Sequence, residues 1–341
     1  MRAAVFREAG RPLCIETVPD PVPGPGELVV QVGRSGICGT DLHLTDVRDP
    51  KVPPGTVLGH EFAGIVAGLG AGVERFRCGD RVFVLPLRGC GQCASCLAGE
   101  PAWCAAVQPC YGGFADYAVV AESSCFALPE ALSLADGALL EPLAVALHAV
   151  AAAGMRPGAR VLVQGAGPIG LGVVFWARRL GAGHITVVEG APARAALALR
   201  MGASVCIAPG DCERDPAAFA MGGAADPEAP ELVFECVGKP GLVAQAIAHV
   251  RPRGTVVSAG FCMSADTFVP AAANVREARL LFPLGYSARD FAVCAEVLAA
   301  GAPEARLMVT ATVPLGQLPQ VFEQLRSDRT QCKVMVAPLE G

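Results

Sequence analysis

Apolar and polar positions divide the chain into two parts of different rhythm. Up to about residue 140, apolar residues come in short runs rich in β-branched and aromatic side chains. Val29-Val30-Gln31-Val32, Ile65-Val66-Ala67, Val82-Phe83-Val84-Leu85 and Tyr117-Ala118-Val119-Val120 are such runs, with glycine and proline around them. They predict β-strands. The stretch Pro19-Asp20-Pro21-Val22-Pro23-Gly24-Pro25-Gly26 cannot form a helix and predicts a surface turn.

Near Leu143 the pattern changes, and strand-like runs alternate with helix-length ones. The spacing predicts strands over 160–164, 185–189, 232–236 and 255–260, and helices over 168–180, 192–201 and 241–249. Pro168 falls in the first turn of its helix, where its missing N–H costs nothing. Strand–helix alternation predicts an α/β fold with a doubly wound parallel sheet covered on both faces. Residues 209–230 are rich in Ala, Gly, Pro and Asp and predict a long surface connection with a weak helix. After Pro283, a helix over 289–300 and short strands close the chain. A length of 341 residues fits two domains.

Composition removes several classes. Hydrophobic residues make up 52% and charged residues 17%, which excludes disorder as the global state. With 27 Lys+Arg against 32 Asp+Glu, a net charge of -5 and no basic run, a nucleic-acid partner is not expected. The most apolar stretch, 137–155, contains Glu141-Pro142, a charge and a helix breaker that argue against a membrane span. Cysteines number 15, and the opening residues carry Arg2, Arg7, Glu8 and Arg11 with no apolar core of a secretory signal. That combination predicts reduced thiols in the cytoplasm, some of them on metal.

Three motifs carry chemistry. Cys90, Cys93, Cys96 and Cys104 have the spacing C-x2-C-x2-C-x7-C, with Gly89, Gly91 and Gly99 among them. Four thiolates on a short turn-rich loop suit a structural zinc, which takes them at ~2.3 Å in a closed tetrahedron. An iron–sulfur cluster can use similar spacing. The second motif is dispersed: Cys38-Gly39-Thr40-Asp41-Leu42-His43, then Gly59-His60-Glu61, then Glu141-Pro142-Leu143. Together they supply one thiolate, one imidazole and one or two carboxylates, a set suited to a catalytic zinc with a position free for substrate. A carboxylate at 141, between leucines, is costly to bury unless a charge meets it.

The third motif is Gly165-Ala166-Gly167-Pro168-Ile169-Gly170, a G-x-G-x-x-G run that follows a predicted strand and opens a predicted helix. Its glycines permit a tight turn and a close approach of a dinucleotide pyrophosphate to the helix N-terminus. Glu189 ends the next strand, and a carboxylate there binds ribose hydroxyls and repels a 2′-phosphate, favouring NAD over NADP. Arg194, nearby, would accommodate that phosphate and leaves NADP as the alternative. Cys236-Val237 and Gly260-Phe261 end the later strands, where a parallel sheet presents its ligands, so they are expected against the nicotinamide half.

These motifs, in this order, resemble the zinc-dependent medium-chain dehydrogenase/reductase superfamily, in its sorbitol and threonine dehydrogenase-like branch. The resemblance runs from Met1 to the strand at Lys333. It implies a GroES-like β-rich catalytic domain (1–143 and 284–341) carrying both zinc sites, and a Rossmann NAD-binding domain (144–283). It implies Cys38 and His60 as catalytic-zinc ligands, with Glu61 or Glu141 as the third, and Asp41 as the carboxylate that orients the histidine. Thr40 and His43 match the proton relay, and Lys333 a basic residue near both the pyrophosphate and the glutamate of the Gly-His-Glu motif. Arginine at the offset of Arg194 also accompanies the acidic residue in NAD-dependent relatives.

The implied reaction interconverts a secondary alcohol, polyol or cyclitol and its ketone, with hydride passing to NAD. Sorbitol dehydrogenases carry a tyrosine soon after the relay histidine and an arginine–tyrosine pair before the last long helix. Leu44-Thr45 and Gly285-Tyr286-Ser287 stand there instead, so the substrate is left open. A homo-tetramer or homo-dimer is implied. The alternatives are a non-catalytic nucleotide-binding relative, or a quinone or enoyl reductase, although the latter lack the cysteine lobe and the Gly-His-Glu set.

Overall fold

The computed structural model describes residues 1–212 and 228–340. The backbone divides into two compact units, Met1–Glu141 with Ser287–Gly341, and Pro142–Tyr286.

The first unit is built on a seven-stranded sheet. Its spatial order is Val309–Pro314, Lys333–Ala337, Glu27–Gly36, Glu61–Leu69, Arg81–Val84 and Cys125–Ala127, with Tyr117–Ala121 also paired to Glu27–Gly36. Neighbours run antiparallel except the first pair. Alternation of period two explains its core: Leu28, Val30 and Val32 face one way and pack with Phe62, Val66, Val82, Val84, Ala118 and Val120. Register then sets the site. Gly36 pairs with Glu61 on one side and with Met335 on the other. The chain leaving Gly36 toward Cys38 therefore passes between Glu61 and the strand that begins at Lys333.

In the second unit six parallel strands lie in the order Val205–Ile207, His184–Val188, Arg160–Gln164, Leu232–Glu235, Thr255–Ser258, Arg279–Leu281. In chain order that is third, second, first, fourth, fifth, sixth, the doubly wound Rossmann arrangement. Val161, Leu162, Val163, Leu232, Val233 and Phe234 are all buried in unbroken runs, because helices cover both faces. The expected fold class holds.

Differences from the sequence reading have identifiable causes. Residues Leu134–Ala153 form one 20-residue helix that runs through Pro142, where the sequence suggested a break. An internal proline costs about 3 kcal/mol. Burial of Leu139, Leu140, Leu143 and Leu147 contributes about 1.5–3 kcal/mol each and outweighs it. This helix is also long and apolar enough to cross a membrane by length and composition, with 72% of its apolar window buried inside the protein. The strand predicted to reach Cys236 stops at Glu235, since the N–H groups of Val237 and Gly238 both donate to Glu235 Oε1 at 2.7 Å and turn the chain. Of the connection expected over 209–230, a 3-10 helix spans Pro209–Cys212. Residues 213–227 lie outside the described ones.

Candidate functional site

Cys38 stands at the N-cap of a helical turn, Gly39–Leu44. Its backbone N–H donates to Asp41 Oδ2 at 3.0 Å, and its sulfur accepts from Thr40 N–H at 3.4 Å. Asp41 is fully buried and reaches further: Oδ1 lies 3.2 Å from His60 Nδ1 and accepts from Gly59 N–H at 3.3 Å. One carboxylate thus ties together two loops that are distant in sequence. With Nδ1 facing Asp41, Nε2 is the nitrogen left for an ion.

Ligand atoms of Cys38, His60 and Glu61 all lie within 4.8 Å of one another. Burial pushes the His60 imidazole down, but Asp41 and Cys38 outweigh it and hold its pKa well above the ordinary value. Such a concentration of acceptors favours a cation, and thiolate, imidazole and carboxylate together match zinc.

Glu61 itself is met by Lys333. Both residues are 1% exposed, and Lys333 Nζ lies 2.6 Å from each Glu61 oxygen and 3.0 Å from Ile37 O. Burial disfavours the ammonium, yet Glu61, Cys38 and Glu141 more than offset it and its pKa is raised. Glu141 is buried in the long helix, close enough to contribute to that field. Thr40 and His43 are exposed, three residues apart on one face of their helical turn.

The four cysteines of the lobe also converge, their sulfurs within 4.8 Å of one another. Cys90 N–H and Ala106 N–H donate to Cys104 Sγ at 3.3 and 3.4 Å. Backbone N–H groups of Gln92 and Cys93 lower the Cys90 thiol to about 6. Cys96 receives the Gly91 N–H, but desolvation and the three other cysteines push it up to about 11. Four convergent sulfurs fit a dication with no position left open.

In the second unit the fingerprint forms the turn between strand Arg160–Gln164 and helix Pro168–Arg179. Gly165 has φ +90, a conformation that side chains disfavour. A Cβ on Gly170 would lie 1.9 Å from Gly165 O, so backbone packs directly on backbone there. Gly167 differs: its φ is -72 and an added Cβ would meet nothing within 4 Å. No protein atom demands glycine at 167, and open space at the N-terminus of a helix is a cradle for a pyrophosphate.

Glu189 Oε2 accepts from Ala166 N–H at 2.9 Å and Oε1 from Ala191 N–H at 2.8 Å, which fixes the carboxylate beside that turn. Arg194 is half-buried on the first turn of the following helix. Cys236, Val237, Gly260 and Phe261 follow the ends of their strands, with Phe261 63% exposed.

Two residues escaped the sequence reading. Glu235, 1% exposed, organises the turn after its strand, and its signal was available: a carboxylate ending an apolar run, as at 141. The Tyr111 ring stands edge-on to His60 with centroids 6.4 Å apart, and no sequence pattern marked it.

Two family models match this chain: an alcohol dehydrogenase GroES-like domain over residues 24–130 and a zinc-binding dehydrogenase domain over 168–300. A sorbitol dehydrogenase from Bacillus subtilis strain 168 is 31% identical over 347 residues, covering 99% of this chain and 97% of the relative. The chain belongs to the zinc-dependent medium-chain dehydrogenase/reductase superfamily, in its sorbitol dehydrogenase-like branch. Solved structures of dehydrogenases superpose over nearly its full length. The 2R,3R-butanediol dehydrogenase from Bacillus subtilis is 30% identical with a TM-score of 0.85, covering 99% of each chain. A short chain alcohol dehydrogenase from E. coli CFT073, complexed with NADH, is 26% identical with a TM-score of 0.87, again covering 99% of each.

Proposed function

We propose that this protein is a zinc- and NAD-dependent dehydrogenase that interconverts a secondary alcohol, polyol or cyclitol and the corresponding ketone. The observation that carries the reading is the Cys38–His60–Glu61 cluster, with Asp41 bonded to both of its loops, in a chain that also carries a complete dinucleotide turn. Cys38, His60 and one of Glu61 and Glu141 would hold the catalytic zinc, and Cys90, Cys93, Cys96 and Cys104 the structural one. Zinc held by the first set supplies a Lewis acid that acidifies an alcohol hydroxyl.

The chain's own residues do the rest. Asp41 fixes the ring angle and tautomer of His60. The Thr40 hydroxyl would accept the substrate proton while handing on its own, and the His43 imidazole, exposed to water, would carry that proton to solvent. The Gly165–Gly170 turn and the helix behind it bind the pyrophosphate, Glu189 accepts the ribose hydroxyls, and Cys236, Val237, Gly260 and Phe261 line the nicotinamide half. NAD held by these residues would supply the hydride acceptor. Residues 1–143 with 284–341 would carry catalysis, and residues 144–283 dinucleotide binding.

Fifteen cysteines, five of them assigned to the two zinc sites, fit a reducing cytoplasm. The edge strand Arg279–Leu281, followed by exposed Phe282 and Leu284, suits extension of the sheet into a homo-dimer, or a tetramer built from dimers. A second reading, use of NADP, is favoured by Arg194 alone. Incubation with NAD or NADP and a panel of secondary alcohols, polyols and cyclitols tests the function through absorbance of the reduced nicotinamide. Turnover with NAD, lost on chelation, is expected. Tight NAD binding with no turnover across the panel would overturn the enzymatic reading in favour of a nucleotide-binding role.

A further inference from the structure

The Lys333–Glu61 ion pair has a geometry that ordinary charge neutralisation does not need. Lys333 sits at the start of its strand with its Nζ 2.6 Å from both oxygens of Glu61, and its third contact is Ile37 O, one residue before Cys38. An ammonium has three donors, and these three acceptors account for them. The pocket is closed: a Cβ on Gly36 would fall 2.0 Å from Glu61 Oε2 and 3.1 Å from Lys333 Cδ. The same Glu61 lies within 4.8 Å of the ligand atoms of Cys38 and His60. With an ion held by Cys38 and His60, this one carboxylate would face two cationic partners, and its oxygens could not serve both fully.

We propose that Lys333 is a positioning residue that competes with the bound metal for the Glu61 carboxylate and so limits how tightly that metal is held. This rests on the reading of Cys38 and His60 as zinc ligands. Two effects act in the same direction. The ammonium repels a dication held beside it, and it draws on the oxygens that would otherwise complete the ion's shell. Removing the charge should tighten metal retention, an outcome opposite to that of a residue serving only to hold the site together.

The test uses the full-length zinc protein. Zinc released to excess chelator is followed with a colorimetric indicator, and the phase missing in Cys38→Ala identifies the Cys38 site. Lys333→Met should slow that phase by about tenfold or more, as loss of a nearby like charge implies. Lys333→Arg should stay near wild type, because a guanidinium restores the charge and the donors. Lys333→Met with Glu61→Gln, a neutral pair that still folds if the single variant does not, should return the phase toward wild type. In the cobalt-substituted protein, Lys333→Met should weaken the visible ligand-field bands as Glu61 enters the shell. An unchanged or faster phase in Lys333→Met, or a double variant as slow as the single, would overturn the proposal. Retention of both zinc ions by Cys38→Ala would instead overturn the zinc assignment, and the competition with it.

Discussion

Alanine at Gly170 and at Gly167, three residues apart in one turn, should fail in opposite ways. At 170 the new Cβ would lie 1.9 Å from Gly165 O and 3.0 Å from Gly165 C. Carbon–oxygen contacts ordinarily sit near ~3.3 Å, so helix and turn must part by more than an ångström. The obstacle is backbone and cannot rotate away, which places the cost at the upper end of overpacking, about 3 kcal/mol. At 167 the backbone is extended in ψ, φ is -72 and the Cβ meets nothing within 4 Å. Loss of an N-cap glycine there costs less than about 1 kcal/mol.

Dinucleotide affinity should separate the two further. If pyrophosphate approaches the backbone at 167, a methyl group there removes that contact, and NAD should bind about tenfold or more weakly, a loss of about 1.4 kcal/mol or more. Urea denaturation without ligand and calorimetric titration with NAD read the two quantities on the same samples. Gly167→Ala should lose affinity at nearly native stability, and Gly170→Ala should lose stability first. Wild-type NAD affinity in Gly167→Ala would refute the argument, since the open space would then not be where the ligand approaches.

Other outcomes follow from the metal sites and from one ion pair. Cys38→Ala should lose turnover and one of two zinc ions with little loss of stability, whereas Cys96→Ala should destabilise the lobe. Elemental analysis with thermal denaturation checks both, and equal behaviour of the two variants would contradict the division into an open and a closed site. Asp136 is 2% exposed and bonded to Arg306 at 2.7 and 3.0 Å. Burial pushes its carboxyl up, but Arg306 and Ser133 outweigh this and hold it below the usual range. A carboxyl lowered by folding stabilises the fold above its unfolded value of ~3.9, and the contribution disappears as pH falls through the folded value. Asp136→Asn should therefore be less stable than wild type at neutral pH, by a margin that shrinks below ~pH 4. Urea midpoints from pH 6 to 3 measure it, and a constant margin would refute the assignment.

The sequence by itself determined the parts whose information is local. Strand and helix periods, the glycine turn and the four-cysteine spacing are written within short stretches. The structure finds strand Arg160–Gln164 and helix Pro192–Met201 at the residues the pattern indicated. Chemistry at Cys38, His60 and Glu61 was also suggested by residue type, since few roles other than metal binding use that combination. Tertiary structure alone decided the rest. The helix through Pro142 forms because burial outweighs a local preference that the sequence registers as a break. The reach of Asp41 to two loops depends on where the chain returns in space, as does the closure of Lys333 over Glu61 across 272 residues. Sheet register brings those charges together, and register is a property of pairing between distant strands that no single stretch of chain encodes.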